Sequence, residues 1–208
     1  MILLLMSLIN PADAAYMWGV GPTVNTIVWP SSYLNGGLVT KLDDDMEETT
    51  SNVGLGAHGV LYLGKKKRMG SHLWYAFGNG GYKSWNWTVD ADLWGTESSG
   101  VSVLGGFGAG LGTQRWEDPD HGELKMGTYI LRAQGSATYR MRRQAYELGG
   151  WAGLVLPGTA KFQPTGGEQE TLSGADSTGF YPQIGLEATV YFGDFTPPKS
   201  RKKGKKRR

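Results

Sequence analysis

The residues of this chain able to do chemistry are mostly charged, and they fall at every second position. The polar faces of the segments described below collect Asp90, Asp92, Glu147 and Glu187 with Arg132, Arg140, Lys83 and His58. Buried charges must be paired. Such a set can form a salt-bridge network that fills an interior, line a polar conduit or relay protons. Eight strands enclose a space barely wide enough for side chains, so a filling network is the expectation.

Hydrolysis needs a nucleophile activated by a base. The candidate bases are His58, His72 and His121. Ser71-His72 reads as part of a turn, and His121 ends the acidic run 117–121. None of the three has a nucleophile at a recognisable spacing. The chain has no cysteine, which removes thiolate catalysis, thiolate metal sites and disulfides. Glycines at 105–112 lack the following Lys-Ser/Thr of a phosphate loop and read as strand. No enzyme activity and no cofactor are expected. A second acidic run, Asp43, Asp44, Asp45, Glu47 and Glu48, reads as a solvated loop. Its alternative role is to bind divalent cations that bridge lipopolysaccharide phosphates.

Net charge is +2, with 21 Lys/Arg against 19 Asp/Glu. Eight of the basic residues lie within 199–208, so the rest of the chain is acidic, with 13 Lys/Arg against the same 19 acids. A terminal run of like charge repels itself and stays solvated. Pro197-Pro198 sets it apart as a stiff spacer. A basic run can bind nucleic acid. Behind an export signal, anionic headgroups or cell-wall polymers are the better partners, and no nucleic acid is expected.

Residues 2–9 form an apolar run, broken by Asn10-Pro11 and followed by Ala12-Asp13-Ala14. This pattern reads as a signal peptide over 1–14, although no Lys or Arg precedes the run. It implies Sec-type export. No other stretch has the ~18 consecutive apolar residues of a membrane helix. A membrane location would therefore require a closed barrel, because lipid leaves no partner for an open sheet edge.

These side chains must be positioned by strands. Trp85, Trp87, Val89, Ala91 and Leu93 alternate with Asn86, Thr88, Asp90 and Asp92. Successive side chains of a strand point to opposite faces. The same alternation appears near 16–28, 53–63, 101–114, 129–140, 146–156 and 183–192, and more weakly at 72–78. Glycine is frequent, at 33 residues, and much of it lies on the polar faces. That suits the cramped inside of a small barrel. The two long connections, 30–50 and 157–177, fall at one end if the strands number eight. Short turns at the other end are the rule for periplasmic connections. Trp29 and Tyr33 then mark the outer membrane interface, and Trp74 and Trp94 the inner one.

The segment Gln183-Ile184-Gly185-Leu186-Glu187-Ala188-Thr189-Val190-Tyr191-Phe192 resembles the closing strand of bacterial outer-membrane barrels. In that family the last strand alternates apolar residues and ends in an aromatic. Leu186, Ala188, Val190 and Phe192 match this pattern. Phe195 lies on the Glu187 face, and the chain runs sixteen residues past Phe192. In size the chain is similar to the eight-stranded OmpA, OmpX and OmpW type. Its Tyr16-Met17-Trp18-Gly19-Val20-Gly21-Pro22 resembles uncharacterised outer-membrane proteins of myxobacteria. The resemblance implies recognition by the barrel-assembly machinery and contact with outer-membrane lipid and lipopolysaccharide.

The expectation is all-β: an eight-stranded antiparallel up-and-down transmembrane barrel over 15–195, with a basic tail at 196–208. Its expected role is non-catalytic: structural, envelope-stabilising or surface-interacting. Two alternatives stand. One is a secreted lipocalin-like barrel around an apolar ligand. The other is a lipid-modifying barrel enzyme.

Overall fold

The computed structural model describes residues 17–28, 51–63, 67–78, 81–172 and 181–196. The signal-peptide segment, the acidic run Asp43 to Glu48, Trp29, Tyr33 and the basic tail lie outside the described residues.

The described chain is all strand and turn. Its elements are β1 (Met17–Val28), β2 (Ser51–Tyr62), β3 (Arg68–Gly78), β4 (Lys83–Ser98), β5 (Val101–Asp118), β6 (Gly122–Arg140), β7 (Gln144–Pro164), β8 (Glu170–Leu172) and β9 (Tyr181–Asp194). Every pairing is antiparallel. Neighbours in sequence pair from β1 to β7, β9 pairs β7, and β1 pairs β9. Eight strands therefore close into a ring without a free edge, which removes the hazard of unpaired backbone groups. The three-residue β8 lies outside the ring and pairs only with β7.

The ring is sheared. Paired residues followed from Met17 through Tyr62, Arg68, Asp92, Gly106, Gln134, Trp151 and Gly185 return to β1 at Ile27, ten residues further on. Strands lie about 4.7 Å apart and rise about 3.3 Å per residue. The offset therefore tilts them by about 40° from the ring axis. Each residue then climbs about 2.5 Å along that axis.

Period two decides what faces where. In β1 the pattern is strict: Met17, Gly19, Gly21, Thr23, Asn25 and Ile27 are buried, while Trp18, Val20, Val24 and Val28 are exposed. β9 repeats it, with Ile184, Leu186 and Phe192 outward and Gln183, Glu187, Thr189 and Tyr191 inward. The arrangement inverts a water-soluble sheet: the large apolar side chains point out, and the polar ones point in. Trp85 is 56% exposed, Leu148 67% and Leu186 63%, whereas His58, His72 and Thr88 are fully enclosed.

Three expectations need correction. The long connection at 157–177 begins later, because β7 continues to Pro164 and pairs β6 as far as Gly122. Pro157 and Gly158 sit at a register shift between Met126 and Thr128, which absorbs residues that read as a loop. The glycines at 95 and 100 read as bounding a connection over 95–100, which shrinks to Ser99-Gly100 because β4 runs to Ser98. Both turn residues have positive φ, at 51° and 83°. That geometry matches the strand twist and makes a two-residue hairpin. Trp74 is no interface anchor: it points inward and is buried.

Candidate functional site

The middle of the ring interior is charged. β5 contributes Gly106, Gly108, Gly110 and Gly112 to the inner face, opposite Asp92, Asp90, Thr88 and Asn86 of β4. A stretch of strand without inward side chains leaves room for the long side chains of its neighbours. A Cβ on Gly108 would lie 3.1 Å from Arg132 Nε and 3.3 Å from Asp90 Cβ.

Arg68, at the first position of β3, centres one half of the cluster. Its Nε donates to Asp92 Oδ2 at 2.6 Å, its Nη1 donates to Glu147 Oε2, and its Nη2 donates to Ser136 Oγ at 3.3 Å. Thr138 Oγ1 donates to the same Glu147 oxygen at 2.6 Å, and Tyr191 Oη donates to Glu147 Oε1 at 2.9 Å. Gln134 Nε2 donates to Asp92 Oδ1 at 3.0 Å. Arg132 centres the other half. Its Nη2 donates to Asp90 Oδ1 at 2.9 Å, and its Nη1 lies 3.8 Å from Glu187 Oε2. The guanidinium also lies over the faces of Trp74 and Trp151, 5.7 and 5.8 Å from the ring centres. Aromatic faces stabilise a desolvated cation.

Two histidines join the halves. His58 and His72 stack with ring centres 4.6 Å apart and planes 15° from parallel. His58 Nδ1 lies 2.7 Å from Tyr191 Oη, and its Nε2 lies 3.5 Å from Asp90 Oδ2. His72 Nδ1 lies 3.4 Å from Glu187 Oε2.

Apolar layers close the cluster above and below. Met17, Val60, Tyr62, Leu104, Ala145, Tyr191 and Phe195 fill the end where β1 begins. Tyr82, Trp116, Leu124, Met126, Ile130, Val155, Ala160 and Phe162 fill the other. The interior is a filled core with a polar middle.

No protein-family model matches this chain, and no curated protein does.

The structure brings together Asp90, Asp92, Glu147, Glu187, Arg132 and His58. Arg140 points inward but sits at the rim, where Nη2 meets Glu97 Oε2 at 3.0 Å and the guanidinium lies 5.0 Å from the Tyr62 ring centre. Lys83 does not belong. It shares the phase of Trp85 and Trp87, points outward with its side chain 45% exposed, and pairs with Glu117 at 3.1 Å. The hydrogen bond from Lys83, its charge and the Arg115 charge hold the Glu117 carboxyl below the usual carboxylate range. Ser71-His72 is mid-strand rather than a turn. Ser71 faces out and accepts a 3.0 Å hydrogen bond from Trp87 Nε1, while His72 faces in. Arg68, His72 and Tyr191 are the members that sequence reasoning missed as partners. The even phase of His72 and Trp74 in β3 would have placed Arg68 inside.

Gly70 lies under this cluster. A Cβ there would strike Asp90 Oδ2 and come within 2.7 Å of His58 Nε2. Gly70→Ala is expected to lower unfolding stability by about 1–3 kcal/mol, the usual range for overpacking. A urea titration of the folded protein in detergent checks it. Gly59 is the control, since a Cβ there meets nothing closer than 4.0 Å.

Proposed function

We propose that the ring is a bacterial outer-membrane β-barrel with a structural, envelope-stabilising or surface-interaction role and no catalysis. One observation carries the reading: the closed ring turns its apolar faces outward and its charges inward. In water, an outer surface bearing Trp18, Trp85, Trp87, Leu148, Ile184 and Leu186 would drive association. In lipid it is the required surface.

Dimensions support the same reading. The shortest ring strand has 11 residues. At about 2.5 Å of climb per residue it covers the roughly 25 Å apolar band of such barrels. Outward aromatics gather near both ends of that band. Trp18, Tyr139, Tyr146 and Phe192 lie towards the end where β1 begins, and Phe77, Trp85 and Tyr129 towards the other. Amphipathic rings favour membrane interfaces. Phe192 faces out as the last large apolar residue of β9, while Phe195 is buried inside. This phase fits a closing-strand signal of Leu186, Ala188, Val190 and Phe192 for the assembly machinery. The connection 29–50 and the β7–β9 connection leave from one end, which would face lipopolysaccharide and the outside.

A lipocalin-like barrel needs an apolar cavity inside and a polar surface outside, the reverse of this arrangement. A lipid-modifying enzyme needs its histidine at the lipid face, whereas His58 and His72 are enclosed and His121 lies in the turn between β5 and β6. Cell fractionation tests the proposal. The expected result is recovery with the outer membrane, with faster gel migration before boiling than after. Recovery as a soluble periplasmic or secreted protein overturns it.

A further inference from the structure

The charges in the middle of the interior do not balance. Asp90, Asp92, Glu147 and Glu187 face two guanidinium groups, Arg68 and Arg132. Arg140 is committed to Glu97 at the rim. Two negative charges remain for the two histidines, or something held by them, to neutralise.

The hydrogen bonds fix where the deficit lies. The Tyr191 hydroxyl has one proton, and it goes to Glu147. The 2.7 Å contact with His58 therefore has His58 Nδ1 as donor and the tyrosine oxygen as acceptor. In the neutral ring His58 Nε2 is then a lone pair, 3.5 Å from Asp90 Oδ2. Neither atom has a hydrogen-bond partner. Two acceptors facing each other in an enclosed space need a cation between or beside them. On the adjacent ring both nitrogens of His72 also lack partners, as does Glu187 Oε2 beside them. Protons on both imidazoles would supply the charge, but they would create stacked imidazolium rings 4.6 Å apart with water excluded. A single divalent ion supplies it without that repulsion.

We propose that His58, His72 and Glu187 form a buried binding site for a late first-row divalent cation, Zn²⁺ foremost, with Asp90 Oδ2 as the nearest further donor. One ligand atom from each of the three lies within 4.8 Å of the others. Zinc holds imidazole nitrogen at about 2.0–2.1 Å, in the plane of the ring, so the two rings must turn out of their 15° stack as well as close in by about an ångström to share one ion. Two imidazoles with a carboxylate select zinc and its neighbours over Ca²⁺ or Mg²⁺, which take oxygen ligands. The ligands come from β2, β3 and β9, so the ion would brace the closing strand across the interior to the second and third strands. The apolar layers at both ends leave folding as the moment of loading.

The test is to refold untagged full-length protein from urea into detergent micelles with Zn²⁺ or with EDTA. Free and loosely held metal is removed by chelator and gel filtration, and bound zinc is counted by mass spectrometry. The expected result is about one zinc per chain. His72→Gln and Glu187→Gln should hold at most a tenth of that, with the rest of the chain, including the acidic run 43–48, unchanged. Refolding with Co²⁺ gives a readout that needs no variant: visible absorption of four-coordinate nitrogen and oxygen ligation is expected. Wild-type protein without retained zinc, or equal zinc in wild type and both variants, overturns the proposal. This count does not depend on where the barrel resides, so it can fail while the membrane reading stands, and the reverse.

Discussion

Arg68→Met is expected to destabilise the folded protein by about 3–5 kcal/mol, the cost of breaking a buried ion pair by removing one partner. The magnitude follows from what is left behind. Arg68 donates to Asp92, Glu147 and Ser136, all enclosed by the ring. Methionine fills much of the same space but leaves two carboxylates facing each other's charge without the guanidinium. Thr138, Tyr191 and Gln134 still donate to them, so the loss is of charge more than of hydrogen bonds. Combining Arg68→Met with Asp92→Asn and Glu147→Gln should recover part of the loss, because neutral amides need less compensation. Lys83→Met is the control. Lys83 also pairs with a carboxylate, Glu117, but both side chains are nearly half exposed. Solvent screens that pair, and no measurable change in the urea midpoint is expected. Equal effects at the two positions would mean that the interior network does not hold the fold together.

The contrast between Arg68 and Lys83 also shows what the sequence could and could not tell. Alternation alone separated inner from outer faces in β1, β4, β5, β6 and β9, because Trp85, Val103, Leu131 and Ile184 fall strictly opposite Asp90, Ser102, Arg132 and Glu187. At strand ends charge and composition mislead where the phase does not. Arg68 closes a basic run that reads as a turn, although its phase with His72 and Trp74 and its pairing with Asp92 across β3 and β4 put it inside. Lys83 was grouped by charge when its phase matched Trp85. Trp74 carries the opposite lesson. An aromatic on the polar face reads as misplaced until its neighbours are known. It pairs with Gly56 on β2, where a Cβ would lie only 2.7 Å from the Trp74 backbone, and its ring covers Arg132. The meeting of His58 and His72 was not legible either. They are directly paired in the β2–β3 register, fourteen residues apart, and that pairing depends on the turn taking up 63–67, a length that the basic run does not mark.

The outward face yields the second large effect, one that separates lipid from water. Leu148 and Leu186 lie near the middle of the apolar band, on β7 and β9, and both face out. Replacing either by arginine puts a cation at the bilayer midplane if the barrel spans a membrane. The expected cost is about 2–4 kcal/mol, read as reduced stability of the protein refolded into phospholipid vesicles. Val101 also faces out, but it begins β5 beside the two-residue turn, at the edge of the band. Val101→Arg should cost about 0–1 kcal/mol, since a long side chain there reaches the headgroups. A soluble protein gives a different ordering. Arginine on an exposed strand face in water would leave stability nearly unchanged at all three positions, and it would improve solubility at the two central ones by removing apolar surface. Depth dependence is thus the discriminating quantity. A gradient from Val101 to Leu148 and Leu186 is the signature of a bilayer around the ring. A flat response would leave the outward apolar belt to be covered by other protein.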